Sequence, residues 1–176
     1  MSRISVVIGR RNVLDGNVLD GIYELQKKMK TKIPLPQKVL FAATGTLEKT
    51  LSLFTGSETE VRILEQRDLV DVIFRSASIV LKKNCEVLVN ARSRIYPLFL
   101  PYRIVRRIRN KEESIGDILN SERLETFRSI HMLGYDPHSR NFFKTYHIIF
   151  KKNVAFNIEE IFVTSLKDHV NSDPFV

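Results

Sequence analysis

Two runs of β-branched and aromatic residues flank the tripeptide Lys151-Lys152-Asn153. Together they constrain the fold more than any other stretch of the chain. Residues 143–150 and 154–163 each read as a strand, and so short a connection makes them an antiparallel hairpin. In a strand, neighbouring side chains point to opposite faces. Phe156, Ile158, Glu160 and Phe162 therefore share one face, and Ala155, Asn157, Glu159 and Ile161 share the other. Glu159 falls on the mixed face, where water solvates it. Glu160 falls among three large apolar side chains. A carboxylate there is costly unless it is paired, hydrogen-bonded or protonated. The pattern marks Glu160 either as a strand-end residue that reaches water or as a group with a function.

A chain of 176 residues suits one domain. Hydrophobic residues at 43% allow a real core and exclude a disordered chain. No apolar run approaches the roughly 18 to 20 residues that span a bilayer. The N-terminus has no signal-peptide core, so no membrane association is expected. The single cysteine, Cys85, excludes an internal disulfide framework; it reads as inert packing and fits a reducing, cytoplasmic setting. The net charge of +8 suits either nucleic acid or a small anionic molecule. The basic residues are spread along the whole chain, which weakens the nucleic-acid reading. A homo-oligomer is compatible with this composition.

A helix is predicted after Asp20 as its cap, with Ile22, Leu25 and Met29 on one face and lysines at its end. VLDG occurs at 13–16 and again at 18–21, too short a repetition to build a repeat architecture. Pro34 and Pro36 break the chain. A helix over 36–43 should bury Val39, Leu40 and Ala43, and one over 47–54 should bury Leu47, Leu51 and Phe54. From Glu60 the period falls to two, and strands are expected over 60–67, 70–81 and 86–95. Residues 101–111 read as an amphipathic helix with Ile104, Val105 and Ile108 inward. A short helix enters near Ser114-Ile115-Gly116. Ser121 should cap another, with Leu124, Phe127 and Ile130 on one side, and 134–140 should be a loop.

This order of elements predicts an α+β fold, an antiparallel sheet flanked by helices. The expected division is an N-terminal segment and helix over 1–35, one domain over 36–163 and a frayed tail over 164–176.

Familiar catalytic signatures are absent from the sequence. It holds no Walker loop, no GxGxxG, no CxxC and no serine elbow. His131, His138, His147 and His169 lack metal-ligand spacing, so neither metal nor cofactor is expected. In the 70–81 strand, alternation puts Ile73, Arg75, Ala77, Ile79 and Leu81 on one face. Arg75 is thus a second charge on an apolar face. Arg75 and Glu160 make either a structural ion pair or an anion-binding pocket with an acid opposite. An arginine fork matches a carboxylate, and a carboxylic acid in an apolar pocket suits proton transfer. Arg92 and Arg94 on the next strand add positive potential. Arg103, Arg106, Arg107 and Arg109 could contact phosphates, or form the polar side of their amphipathic helix.

From about residue 42 to 162 the chain resembles the chorismate lyase family, in its bacterial and archaeal branch. The stretches that carry the resemblance run in order: ATGTLEKTLSLF, VRILEQR, the strand ending SIVL, VNARSRIYP, SIGDILNSERLETF and TYHIIFKKNVAFNIEEIF. The resemblance implies a six-stranded antiparallel sheet flanked by helices, a fold shared with the effector-binding domains of GntR-type regulators. It implies cofactor-free removal of pyruvate from chorismate, leaving 4-hydroxybenzoate. It maps Glu160 onto the catalytic glutamate near the product hydroxyl. Ile115 maps onto a backbone amide that helps bind the ring carboxylate, and Thr46-Leu47 onto a second backbone contributor.

The family's carboxylate-binding arginine maps onto Ala77, four residues before Leu81. Arg75 shares the face of Ala77 two residues earlier, and a bulge or shifted register would let it serve; Arg92 is the alternative. Three functions are weighed on this basis. The first is a lyase in which Glu160 exchanges a proton with the oxygen at the ring 4-position. The second is a domain that binds a small aromatic or cyclohexadiene carboxylate without turnover. The third is a nucleic-acid binder that uses the arginine-rich helix.

Overall fold

The computed structural model describes residues 6–8 and 17–163. The first VLDG copy and the expected tail over 164–176 lie outside the described residues. The strands are β1 (Val6–Ile8), β2 (Thr59–Asp68), β3 (Ile73–Leu81), β4 (Val87–Ile95), β5 (Phe127–Asp136), β6 (Asn141–Phe150) and β7 (Asn153–Phe162). They form one sheet in the order β1-β5-β6-β7-β4-β3-β2, antiparallel throughout. The helices are α1 (Val18–Met29), α2 (Leu35–Ala42), α3 (Leu47–Thr55), α4 (Tyr102–Asn110) and α5 (Ile115–Ser121). Their apolar residues, among them Ile22, Leu40, Leu51, Ile104 and Ile118, join Ile73, Ile79, Val89, Phe156 and Phe162 in one core. The α+β antiparallel architecture read from the sequence is the one observed. Six of the strands are nine or ten residues long, and the seventh, β1, has three.

Several local expectations are corrected. Asn17, not Asp20, caps α1: its side chain accepts from the Leu19 N–H at 3.1 Å. In α2 the buried apolar residues are Leu40 and Phe41, while Val39 is exposed. Cys85 is exposed in the β3–β4 turn at φ 61° rather than packed in a strand. The boundary expected at 35/36 separates no unit: α1 buries Ile22 and Leu25 in the common core, and β1 pairs with β5. The helix expected after Ser121 is instead β5, and 134–136 are its last residues rather than loop. The reason is a bulge. Ile130 pairs with Tyr146 and Met132 with Thr145, so His131 is an extra residue. The inward set shifts from Arg128 and Ile130 to Leu133 and Tyr135, which hides a strand's alternation behind a three-residue spacing.

Register across the sheet then places side chains in rows. One row runs Ala77, Ala91, Glu160, Lys144 across β3, β4, β7 and β6. The next runs Arg75, Ser93, Ile158, Tyr146. Residues directly opposite in a ladder share a face, so both rows lie on the side that packs against the helices.

Candidate functional site

Glu160, Arg75, Thr46, Leu47 and Ile115 all line one cavity between the sheet and the N-terminal ends of α3 and α5. Ala77, Ala91, Glu48, Gly116, Arg128 and Tyr146 complete much of its wall. The two alanines keep the floor beside Glu160 low. Thr46 and Leu47 start α3, and Ile115 starts α5. First-turn N–H groups have no intrahelical acceptor, so both helix starts carry backbone donors on the cavity wall. The cavity is partly open to solvent and has a volume of about 80 Å³.

Glu160 is 6% exposed. Tyr146 donates to its Oε1 at 2.8 Å, and Lys144 Nζ lies 3.2 Å from Oε2. The Lys144 contact is an ion pair without hydrogen-bond geometry, and Oε2 has no hydrogen-bond partner. Lys144 is 2% exposed and donates to the carbonyls of Leu40 and Ala43 at 2.9 and 3.0 Å. It therefore ties the end of α2 to the acid. Burial pushes the Tyr146 phenol well above its usual value, and the neighbouring Glu160 charge adds to this. Tyr146 thus remains a donor across the ordinary pH range.

Arg75 does not touch Glu160. Their Cα atoms stand two strands and one inward step apart, about 12 Å from strand spacing and rise. The guanidinium of Arg75 donates to Gln66 Oε1 at 2.7 Å, to the Glu113 carbonyl at 3.0 Å and to the Ile108 carbonyl. The last contact places a cation at the C-terminus of α4, where the helix dipole favours it. Burial pulls the guanidinium down to about 10, so it stays charged at neutral pH. Three of its five N–H groups are engaged. The direct Arg75–Glu160 ion pair is therefore absent; each charge has other partners and both border one space.

Arg92 is not part of this cavity, which corrects its assignment as a substrate-binding residue. It pairs in the ladder with Ser76 and Glu159, on the opposite face. It lies 3.7 Å from Glu159 with its side chain 74% exposed. It borders a larger open concavity of about 860 Å³ with Arg67, Phe74, Arg94 and Asn157. That hollow is wide, but its charges face water. The smaller cavity holds the buried charges and the helix starts, and is the better candidate site.

The arginine-rich helix is also resolved. Arg103 pairs with Glu122 at 2.7 Å, Arg107 with Glu113 and Glu122, and Arg109 with Asp68 at 2.6 Å. Carboxylates neutralise three of its four arginines, which favours the structural reading of that face over phosphate binding.

The sequence reading missed Lys144, Tyr146, Glu48 and Arg128. Lys144 carries the same signal as Glu160, a charge alternating with Phe142, Tyr146 and Ile148. Glu48 and Arg128 carry none, since each reads as an ordinary surface charge.

Comparison with known proteins reaches a coarser level. The chain is 28% identical over 160 residues to the Methanocaldococcus jannaschii protein named "Putative lyase MJ0807", covering 80% of this chain and 86% of that one. Among solved structures, the ligand-binding domain of a protein described as a GntR-family transcriptional regulator from Bordetella bronchiseptica aligns with 61% of this chain and 84% of that chain. Its TM-score is 0.41 and its identity 10%. No protein-family model matches the chain.

Proposed function

We propose that this protein is a cofactor-free lyase that eliminates pyruvate from chorismate and leaves 4-hydroxybenzoate. The observation that carries the reading is convergence. Five residues chosen from four separate stretches of sequence border one cavity, and Glu160 lines it with a carboxylate held by Tyr146 and Lys144. The likeness to a relative named as a lyase supports the reaction class.

The ring would lie over Ala77 and Ala91. Its carboxylate would meet Arg75 and the backbone donors at Ile115 and Leu47. The opposite end of the ring would then face Glu160. Removal of the C4 proton and loss of the enolpyruvyl oxygen from C3 make the ring aromatic, so positioning and proton transfer suffice. A dry apolar cavity that takes benzene measures about 150 Å³. The ring would therefore extend through the cavity's open side or displace its wall. Arg128, which donates to the Gly45 carbonyl, and Asn120, which donates to Thr46 Oγ1, hold the segment that would move.

Incubation of the purified protein with chorismate should release pyruvate and 4-hydroxybenzoate together. Release no faster than the spontaneous rate would sink the lyase reading. A second reading, binding without turnover, is favoured by one observation: Ala77 stands where the family has its arginine, and Arg75 already serves three protein acceptors. Calorimetric binding of 4-hydroxybenzoate by a protein that turns nothing over would establish that reading instead.

A further inference from the structure

Chorismate carries two carboxylates, one on the ring and one on the enolpyruvyl side chain. Its product 4-hydroxybenzoate keeps only the first. Arg75 and the two helix starts account for the ring carboxylate alone. The cavity, at about 80 Å³, has no room for the side chain as well. Beside it lies a second hollow of about 450 Å³, open to solvent, which shares Thr46 and Arg128 with the cavity wall.

Arg128 stands at that junction. On β5 it pairs with Ile148 of β6, which puts it on the face that carries the helices. Its guanidinium carbon lies 5.8 Å from the centre of the Tyr146 ring, and the Tyr146 hydroxyl donates to Glu160. Arg128 is therefore beside the Tyr146–Glu160 pair, where ring carbon 4 and its neighbour carbon 3 would sit. Arg75 enters from the opposite side, with β4, β7 and β6 between the two strands.

The two guanidinium groups differ in what they already hold. Arg75 donates to three protein acceptors. Arg128 donates to one, the Gly45 carbonyl. No carboxylate lies within ion-pair distance of Arg128 among the described residues, unlike Arg103, Arg107 and Arg109. A half-buried cation without a counter-charge favours an anionic ligand. The hollow around it carries three threonines and Asn120, whose hydroxyl and amide groups can donate to carboxylate oxygens. Glu125 is the one acid there, while Glu48 and Glu160 line the cavity instead.

Resting on the lyase reading, we propose that Arg128 binds the enolpyruvyl carboxylate of chorismate, the side chain lying in this hollow. Arg128 thereby selects a dianion over a monocarboxylate. A guanidinium fork takes both oxygens of a carboxylate. It holds them alike before and during cleavage of the C3–O bond, so its effect falls on KM rather than on kcat. The pyruvate fragment is then released from the open side, clear of the aromatic product.

The test compares Arg128→Gln and Arg128→Lys with the parent protein, on chorismate and on 4-hydroxybenzoate. Calorimetry with chorismate uses the Glu160→Gln background, so that the ligand is not consumed. Arg128→Gln should weaken chorismate about 10- to 100-fold and leave 4-hydroxybenzoate affinity unchanged. With Glu160 in place it should raise KM rather than lower kcat. Arg128→Lys keeps the charge but not the fork and should fall between. A purely structural role, through the Gly45 carbonyl, would disturb the Thr46-Leu47 wall and weaken both ligands alike. Equal losses in both variants, or unchanged chorismate affinity, overturn the proposal. If the parent releases no pyruvate while chorismate binding depends on Arg128, the lyase reading falls and the Arg128 assignment stands. If it turns over and Arg128→Gln binds chorismate as before, the assignment falls and the lyase reading stands. A parent protein that binds neither ligand overturns both.

Discussion

Glu159 and Glu160 are neighbours in sequence, and they sit in two different electrostatic worlds. Glu159 faces water, 3.7 Å from an arginine that is itself mostly exposed. Glu160 is buried against Lys144 and Tyr146 beside a cavity. The first ion pair gains little, because water screens it and two long side chains must be ordered to make it. The second has lost its water, so each partner depends on the other. The lesson is that a strand's two faces give the same residue type opposite consequences.

Removing one partner should separate the two pairs most sharply. Lys144→Met leaves the Glu160 charge buried without its cation and should cost about 3–5 kcal/mol in urea unfolding. Adding Glu160→Gln to it should recover part of that loss, and an additive double mutant would break the claimed coupling. Glu160→Gln alone keeps an acceptor for Tyr146 and should fold, yet lower chorismate turnover about 100-fold or more. A Glu160→Gln enzyme at wild-type rate would remove Glu160 from the chemistry.

A weaker effect is expected at the His131 and His147 rings, whose centroids lie 4.2 Å apart with the planes tilted by 36°. Burial lowers both imidazoles below their usual value, and for His131 the charge of His147 adds to it. The unfolded chain then binds more protons, so their contribution to stability is present above about pH 6.5 and is lost as pH falls through the folded values. Tm should drop between pH 7 and 5, and His147→Asn should flatten that slope. The smallest change belongs to Arg92→Ala, which should cost about 0–1 kcal/mol and leave turnover intact. A large loss of activity there would return Arg92 to the site.

Much of this contrast was legible before any coordinates. Alternation alone placed Glu160 and Arg75 on apolar faces, because a pleated strand has a fixed period of two. Helix spacing found Leu47 and Leu51, and Ile104, Val105 and Ile108, which are buried as expected. The strand β5 was not legible, since the extra residue at His131 shifts its phase and mimics a helical spacing. Arg92 was misassigned because its positive charge suited an anion site while its parity puts it beside Ser76 on the outer face.

Alternation along β3 and β7 was enough to send Arg75 and Glu160 inside. It could not determine who meets whom there. Phe150 pairs with Asn153 across the last turn, and that register carried onward would set Lys144 against Glu159. Instead Ile149 pairs with Val154 and Ile148 with Phe156, so Ala155 is an extra residue that advances β7 by one. That one bulge brings Lys144 opposite Glu160 and puts both on the cavity face. A bulge shifts the phase of the alternation without naming the partner that each side chain will meet. It is chosen by how the buried face packs against helices that come from far away in the chain, and so only the tertiary structure gave Glu160 its partner.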